Sequence, residues 1–155
     1  AALNTLPYAD PERDNEFSSR LTYSHQILIA RKFTDDLSIQ LMPSLVHRNL
    51  VPTPDIANDV LSVGGAIRYQ LTRNWALSGE YYYVLPDQLA EQYFNPVALG
   101  FELDTRGHVF QFQFGNARGM IEKFFITETV GDVNEGDIHF GFNITRDFKI
   151  KGRQY

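Results

Sequence analysis

The chain of 155 residues contains no cysteine, so disulfides, thiol catalysis and Cys-ligated zinc are all excluded. The compartment stays open on that count. No apolar run approaches the ~20 residues of a membrane-crossing helix. There is no block of basic residues, and 14 Lys+Arg stand against 19 Asp+Glu for a net charge of -5. Nucleic acid is therefore not an expected partner. Ala1-Ala2-Leu3-Asn4 does not read as a signal peptide; a mature protein or a fragment would both begin this way. Glycine-rich phosphate loops are missing too, since GGAIRYQ and GNARG lack the P-loop spacing. No G-x-S-x-G turn supports a serine hydrolase, and no EF-hand spacing organises the carboxylates. No cofactor is expected, and the chain does not read as an enzyme.

What is abundant is aromatic residues: 12 Phe, 8 Tyr and 1 Trp, 14% of the chain. Mean hydropathy is nevertheless only -0.28. A helical membrane protein would be far more apolar. A membrane β-barrel need not be, because half of each strand faces a polar interior.

Period-2 alternation runs through most of the sequence. Strands are expected over about 20–33, 37–47, 60–71, 75–85, 97–104, 108–115 and 137–146. One face is apolar and aromatic: Tyr23, Ile27, Ile29 and Phe33, then Leu37, Ile39, Leu41 and Leu45, and later Phe110, Phe112 and Phe114. The other is small and polar: Thr22, Ser24, Gln26, Ser38, Gln40, Ser44. A helical period competes only weakly, around Gly119–Thr129. Residues 1–19 read as a loop or the end of a preceding strand.

Connections alternate in length. Those at 34–36, 72–74 and 105–107 are short; those at 50–58, 86–96 and 116–136 are long. Short turns on one side and long loops on the other are the asymmetry of an outer-membrane barrel. The alternative is a soluble β-sandwich binding module. Its solvated faces would carry Lys and Glu rather than Gly, Ser, Gln, Thr and Ala. The expected fold is thus an all-β, antiparallel, up-and-down transmembrane barrel, with about 7–8 strands in this chain. Seven is an odd count, so a further strand is sought in 1–19 or 116–136, or outside this chain.

Several segments taken together carry a resemblance: LTYSHQILIARKF, LMPSLVHRNLV, GHVFQFQFGN and GDIHFGFNITRDF. They resemble an uncharacterised family of Bacteroidota-type outer-membrane β-barrels, a domain of unknown function, over most of the chain. The resemblance implies a bacterial outer-membrane location. Residues 1–155 are read as a single β-barrel domain or the C-terminal portion of one; family members look longer, and the resemblance implies the C-terminal portion of a larger barrel. No activity comes with it.

Facing assignments follow from the alternation. Gln26, Gln40, Arg68, Gln70, Glu80, Gln111, Gln113, His139 and Asn143 are expected to line the lumen. Tyr23, His25, His47, Trp75, Tyr81 and Tyr83 are expected at the membrane interfaces. Hairpin pairing places His47 opposite Tyr23 and diagonal to His25, a pair read first as interfacial and second as a metal contact. Pairing about Arg73 sets Arg68 beside Ser78 and diagonal to Glu80, an ion pair that would brace the wall or line a pore. Gly141 is a candidate for close approach of the wall. MIEKFFIT, within 116–136, is apolar enough to plug the mouth or meet a protein partner. The expected function is passive, porin-like transport or a structural barrel, with the lipid bilayer as partner. An interaction component that binds a protein through its outer loops is the second expectation.

Overall fold

The computed structural model describes residues 2–3, 16–51, 56–105 and 107–146. Within them the strands are β1 (Ala2–Leu3), β2 (Leu21–Gln26), β3 (Ile29–Lys32), β4 (Leu37–Arg48) and β5 (Asp59–Gln70). β6 (Trp75–Val84), β7 (Val97–Asp104), β8 (Val109–Gly115) and β9 (His139–Thr145) complete the sheet, and one helix, α1 (Glu122–Thr127), lies between β8 and β9. All form one antiparallel sheet in the order β1-β2-β4-β5-β6-β7-β8-β9, with β3 also on β4. The sheet is curled into a half-barrel. A sandwich would need two stacked sheets; the single sheet replaces that alternative.

The expected first strand is broken in two. β2 and β3 keep one register against β4, from Thr22↔Arg48 to Lys32↔Ser38. At the break, Ile27 N–H still donates to Pro43 O at 3.0 Å. Pro43 has no N–H to return, so that pair loses one of its two ladder bonds. Pro43 remains aligned with Val63 on its other side. The extra strand sought in the opening residues is represented by β1, paired antiparallel to β2; Ala1 and residues 4–15 lie outside the described residues.

Two of the short turns share one construction. Thr34 Oγ1 accepts from the N–H groups of Asp36 (3.3 Å) and Leu37 (3.0 Å). Thr72 Oγ1 accepts from Asn74 (3.3 Å) and Trp75 (3.1 Å). A threonine opening the turn thus satisfies backbone donors that the ladder leaves behind. Thr105 opens the third, where its N–H and hydroxyl both donate to His108 O; Arg106 lies outside the described residues.

The sheet is inside-out for a water-soluble protein. Along β4 the buried positions are Met42, Ser44, Val46 and Arg48, while Ile39 and Leu41 are exposed. On β5, Val60, Ser62 and Gly64 are buried and Leu61, Val63, Ile67 and Tyr69 are exposed. Small and polar residues occupy the concave side; the convex side presents Leu99, Phe101, Phe114, Phe140, Phe142 and Ile144. An apolar surface of that extent is stable only when something other than water covers it. β4 and β5 have 12 residues each. At about 3.3 Å per residue and a tilt of about 40°, such strands rise about 30 Å, enough to cross an apolar band of about 25 Å with residues to spare.

The concave face is less uniformly wet than its sequence suggests. At the long-loop end Met42, Val46, Val60, Tyr82 and Val84 form an apolar cluster, completed by Ile126 of α1. These positions share the parity of the glutamines, so alternation alone did not separate them. One expectation is corrected here. Gly141 is not a point of close approach, because an added Cβ would meet Gln113 Cβ at an ordinary 3.6 Å. On β8 the tight position is Gly115, where a Cβ would lie 2.7 Å from Val97 O.

Candidate functional site: the concave wall and its closing segment

Every candidate lumen residue takes a concave position. The lateral rows of the ladder run Gln70–Ala76–Glu102–Gln111–Asn143, then Ser38–Arg68–Ser78–Gly100–Gln113–Gly141, then Gln40–Ala66–Glu80–Ala98–Gly115–His139. Gln26 belongs to the same side, donating to Ser44 Oγ at 3.0 Å and Tyr82 Oη at 2.8 Å. Near the short turns the wall is braced by hydrogen bonds: Asn143 Nδ2 donates to Gln111 Oε1 at 3.1 Å, and Gln70 Nε2 to Thr72 O at 2.7 Å and Trp75 O at 3.1 Å.

Arg68 lies beside Ser78, as the hairpin register requires. Its ion pair, however, is with Glu102 rather than Glu80: Nε and Nη2 both donate to Glu102 Oε2, at 3.0 and 2.9 Å. Nη1 donates to Gln70 at 2.9 Å. The reason is steric. Ser78 and Gly100 continue the row of Arg68, and their small size lets the guanidinium cross β6 to reach β7. Glu80 is left without a cationic partner among the described residues.

The connection between β8 and β9 folds over the concave face. Its anchor is Asn116, 1% exposed. Asn116 Oδ1 accepts from Val97 N–H at 2.9 Å, and Nδ2 donates to Asn95 O at 3.1 Å and Gly131 O at 2.9 Å. One amide thus ties the end of β8, the loop before β7 and the return of the segment. Helix α1 then sets Ile126 into the apolar cluster and Phe125 against Tyr82, ring centroids 5.3 Å apart. Lys123, 4% exposed, pairs with Glu128 at 3.2 Å, the partner a buried cation requires. Asn116, Tyr82, Glu102 and Arg118 were not singled out from the sequence. Only Tyr82, a large aromatic on an otherwise small-residue face, carried a readable signal.

Between this segment and the sheet lies a cavity of about 280 Å³, lined by Glu80, Tyr82, Gln113, Arg118, Phe125 and His139 among others. A second of about 280 Å³ shares Glu80, Ala98 and Gln113 with it and extends past Gln40 and Arg68. Together they form one trough along the concave wall, with Glu80, Gln113, Arg68 and Arg118 set among a mostly apolar lining.

The interfacial candidates all face outward. Tyr23, Trp75, Tyr81 and Tyr83 are between 37% and 49% exposed. Trp75 stands beside a short turn; Tyr23, Tyr81 and Tyr83 lie toward the long loops, as two girdles would. His47 stacks on Tyr23 with centroids 6.4 Å apart. Its Nδ1 lies 2.6 Å from Asp59 Oδ1 and its Nε2 2.8 Å from Asn49 Oδ1. Both ring nitrogens are engaged, and His25 faces Leu45 instead, so the two histidines do not converge on a metal. Among the described residues no three metal-binding side chains gather. An outward His–Asp pair marks the edge of the apolar band, so the spanning part of β4 ends at Leu45. Outside it, the Asp59 carboxylate holds the His47 pKa above its ordinary value.

A family model described as a membrane-bound beta barrel domain, DUF5777, matches residues 1–148. No curated protein and no solved structure matches the chain.

Proposed function

Because the chain belongs to this family of membrane-bound β-barrel domains, we propose that it works as a porin-like barrel of the bacterial outer membrane, passing small polar solutes along its concave wall. The observation that supports the reading is the facing. Aromatic and aliphatic side chains cover the convex side, and the Gln, Arg, Glu and Asn residues share the concave one. In this reading the convex side meets lipid and the trough meets water. The wall brings binding and passage rather than bond-making chemistry, so no catalytic residue is assigned.

The segment 116–138 narrows the long-loop end, with α1 seated on the apolar cluster. Passage is then restricted to small solutes, or follows a displacement of the segment. Purified protein reconstituted in planar bilayers should give small, discrete conductance steps. Folded, inserted protein that never conducts would overturn the transport reading and leave a structural barrel.

A second reading has one observation in its favour. Met120, Ile121, Phe124, Val130 and Val133 expose apolar surface on that same segment. A partner protein seated on the outer loops would cover them, and co-purification from cross-linked membranes tests this.

A further inference from the structure

The first cavity is built with opposite charges at its two ends. On β6 stands Glu80, a carboxylate without a cationic partner among the described residues. At the other end Arg118 Nε donates to His139 Nε2 at 3.1 Å, which sets a guanidinium beside the imidazole. Glu80 and His139 belong to one lateral row, Glu80–Ala98–Gly115–His139. Three inter-strand steps of about 4.8 Å separate their Cα atoms by about 14 Å along the wall. The two residues between them are Ala98 and Gly115, so the floor carries no bulk. Phe125 and Tyr82 supply an apolar flank.

We propose that this cavity binds a short, extended peptide-like zwitterion. Its ammonium end lies against Glu80, its carboxylate against Arg118, and an apolar side chain against Tyr82 and Phe125. The inference rests on the reading of the concave side as a water-filled lumen and names the solute class for it. The fit is one of length as well as charge. Side chains on a strand stand roughly perpendicular to the sheet, so the two ends stay about 14 Å apart; a charged contact of about 2.8 Å at each leaves about 8–9 Å for the ligand, close to the end-to-end span of a tripeptide at about 3.3 Å per residue. A single amino acid is too short to meet both ends, and a simple anion would be repelled by Glu80. Gln113, on the neighbouring row, offers an amide to the peptide backbone.

The test is calorimetric titration of the full chain in detergent with Ala-Phe-Ala, its N-acetylated form and its C-terminal amide. Binding does not require conductance, so a failure here is distinct from a failure of the transport reading. The wild-type protein should prefer the free tripeptide over each blocked form by about tenfold or more, the size of one charged hydrogen bond. Glu80→Gln should erase the preference against the acetylated peptide and keep that against the amide. Arg118→Gln should do the reverse. Absence of binding by folded wild-type protein overturns the proposal. So does binding whose two preferences survive both substitutions.

Discussion

Phe112→Arg and Gln113→Arg place the same cation one residue apart on β8. Phe112 faces out at the middle of the strand, between Phe101 of β7 and Phe142 of β9. Its ring centroid lies 5.1 Å from that of Phe142 and 6.2 Å from that of Phe140. An arginine on the lipid face near mid-depth costs about 2–4 kcal/mol. Loss of the nearer ring contact adds about 1 kcal/mol. A total of about 3–5 kcal/mol is a large share of the 5–15 kcal/mol that typically separates a folded domain from its unfolded chain. Gln113 faces the trough, flanked by Gly100 and Gly141 in its row. An arginine there finds room and water, and the change should stay within about 0.5 kcal/mol. Folding into lipid vesicles, followed by heat-modifiable migration on gels and urea titration, measures both. Phe112→Arg should fold poorly or unfold at much lower urea; Gln113→Arg should match the parent. Equal behaviour, or the reverse order, refutes the facing assignment.

Asn116→Ala removes three side-chain hydrogen bonds from a buried position. It should loosen the closing segment by about 2–3 kcal/mol, read as faster proteolysis within 116–138 and larger conductance, with the sheet intact. Glu102→Gln weakens the bracing of Arg68 and frees a cation in the trough; permeation should shift toward anions while folding is little changed. The His47–Asp59 contact makes the long-loop end of β4 pH-sensitive. Because the histidine's folded pKa is raised, the stabilisation is full below its unfolded value of about 6.5 and fades as pH rises through the folded one. Amide protection factors at residues 47–51, taken against the intrinsic exchange rate at each pH, should therefore be larger at pH 5.5 than at pH 8, and Asp59→Asn should remove the difference.

Much of the sheet was legible because its information is local. Alternation assigned Gln111 and Gln113 to one side and Phe110, Phe112 and Phe114 to the other. Hairpin symmetry gave Tyr23↔His47 and Arg68↔Ser78. What escaped depends on what stands across from a residue, on the partner strand or beyond it. The break at Ile27 and Leu28 is caused by Pro43 on the partner strand. The choice of Glu102 over Glu80 depends on the small Ser78 and Gly100 lying between. The apolar patch of Met42, Val46, Val60 and Val84 shares its parity with the wet wall and becomes distinct only when α1 lands on it. Asn116 looks like any polar residue ending a strand until three separate backbones meet at its amide.

The chain has no cysteine, so single cysteines report facing without background. Five variants, at Gln111, Phe112, Gln113, Phe114 and Gly115, would be folded into lipid vesicles and exposed to a membrane-impermeant maleimide. Strict alternation is expected, with 111 and 113 labelled, 112 and 114 protected, and 115 either labelled or misfolded at its tight position. Protection of 111 and 113 with labelling of 112 and 114, or uniform labelling of all positions, would contradict a lipid-facing convex side and a water-filled concave one.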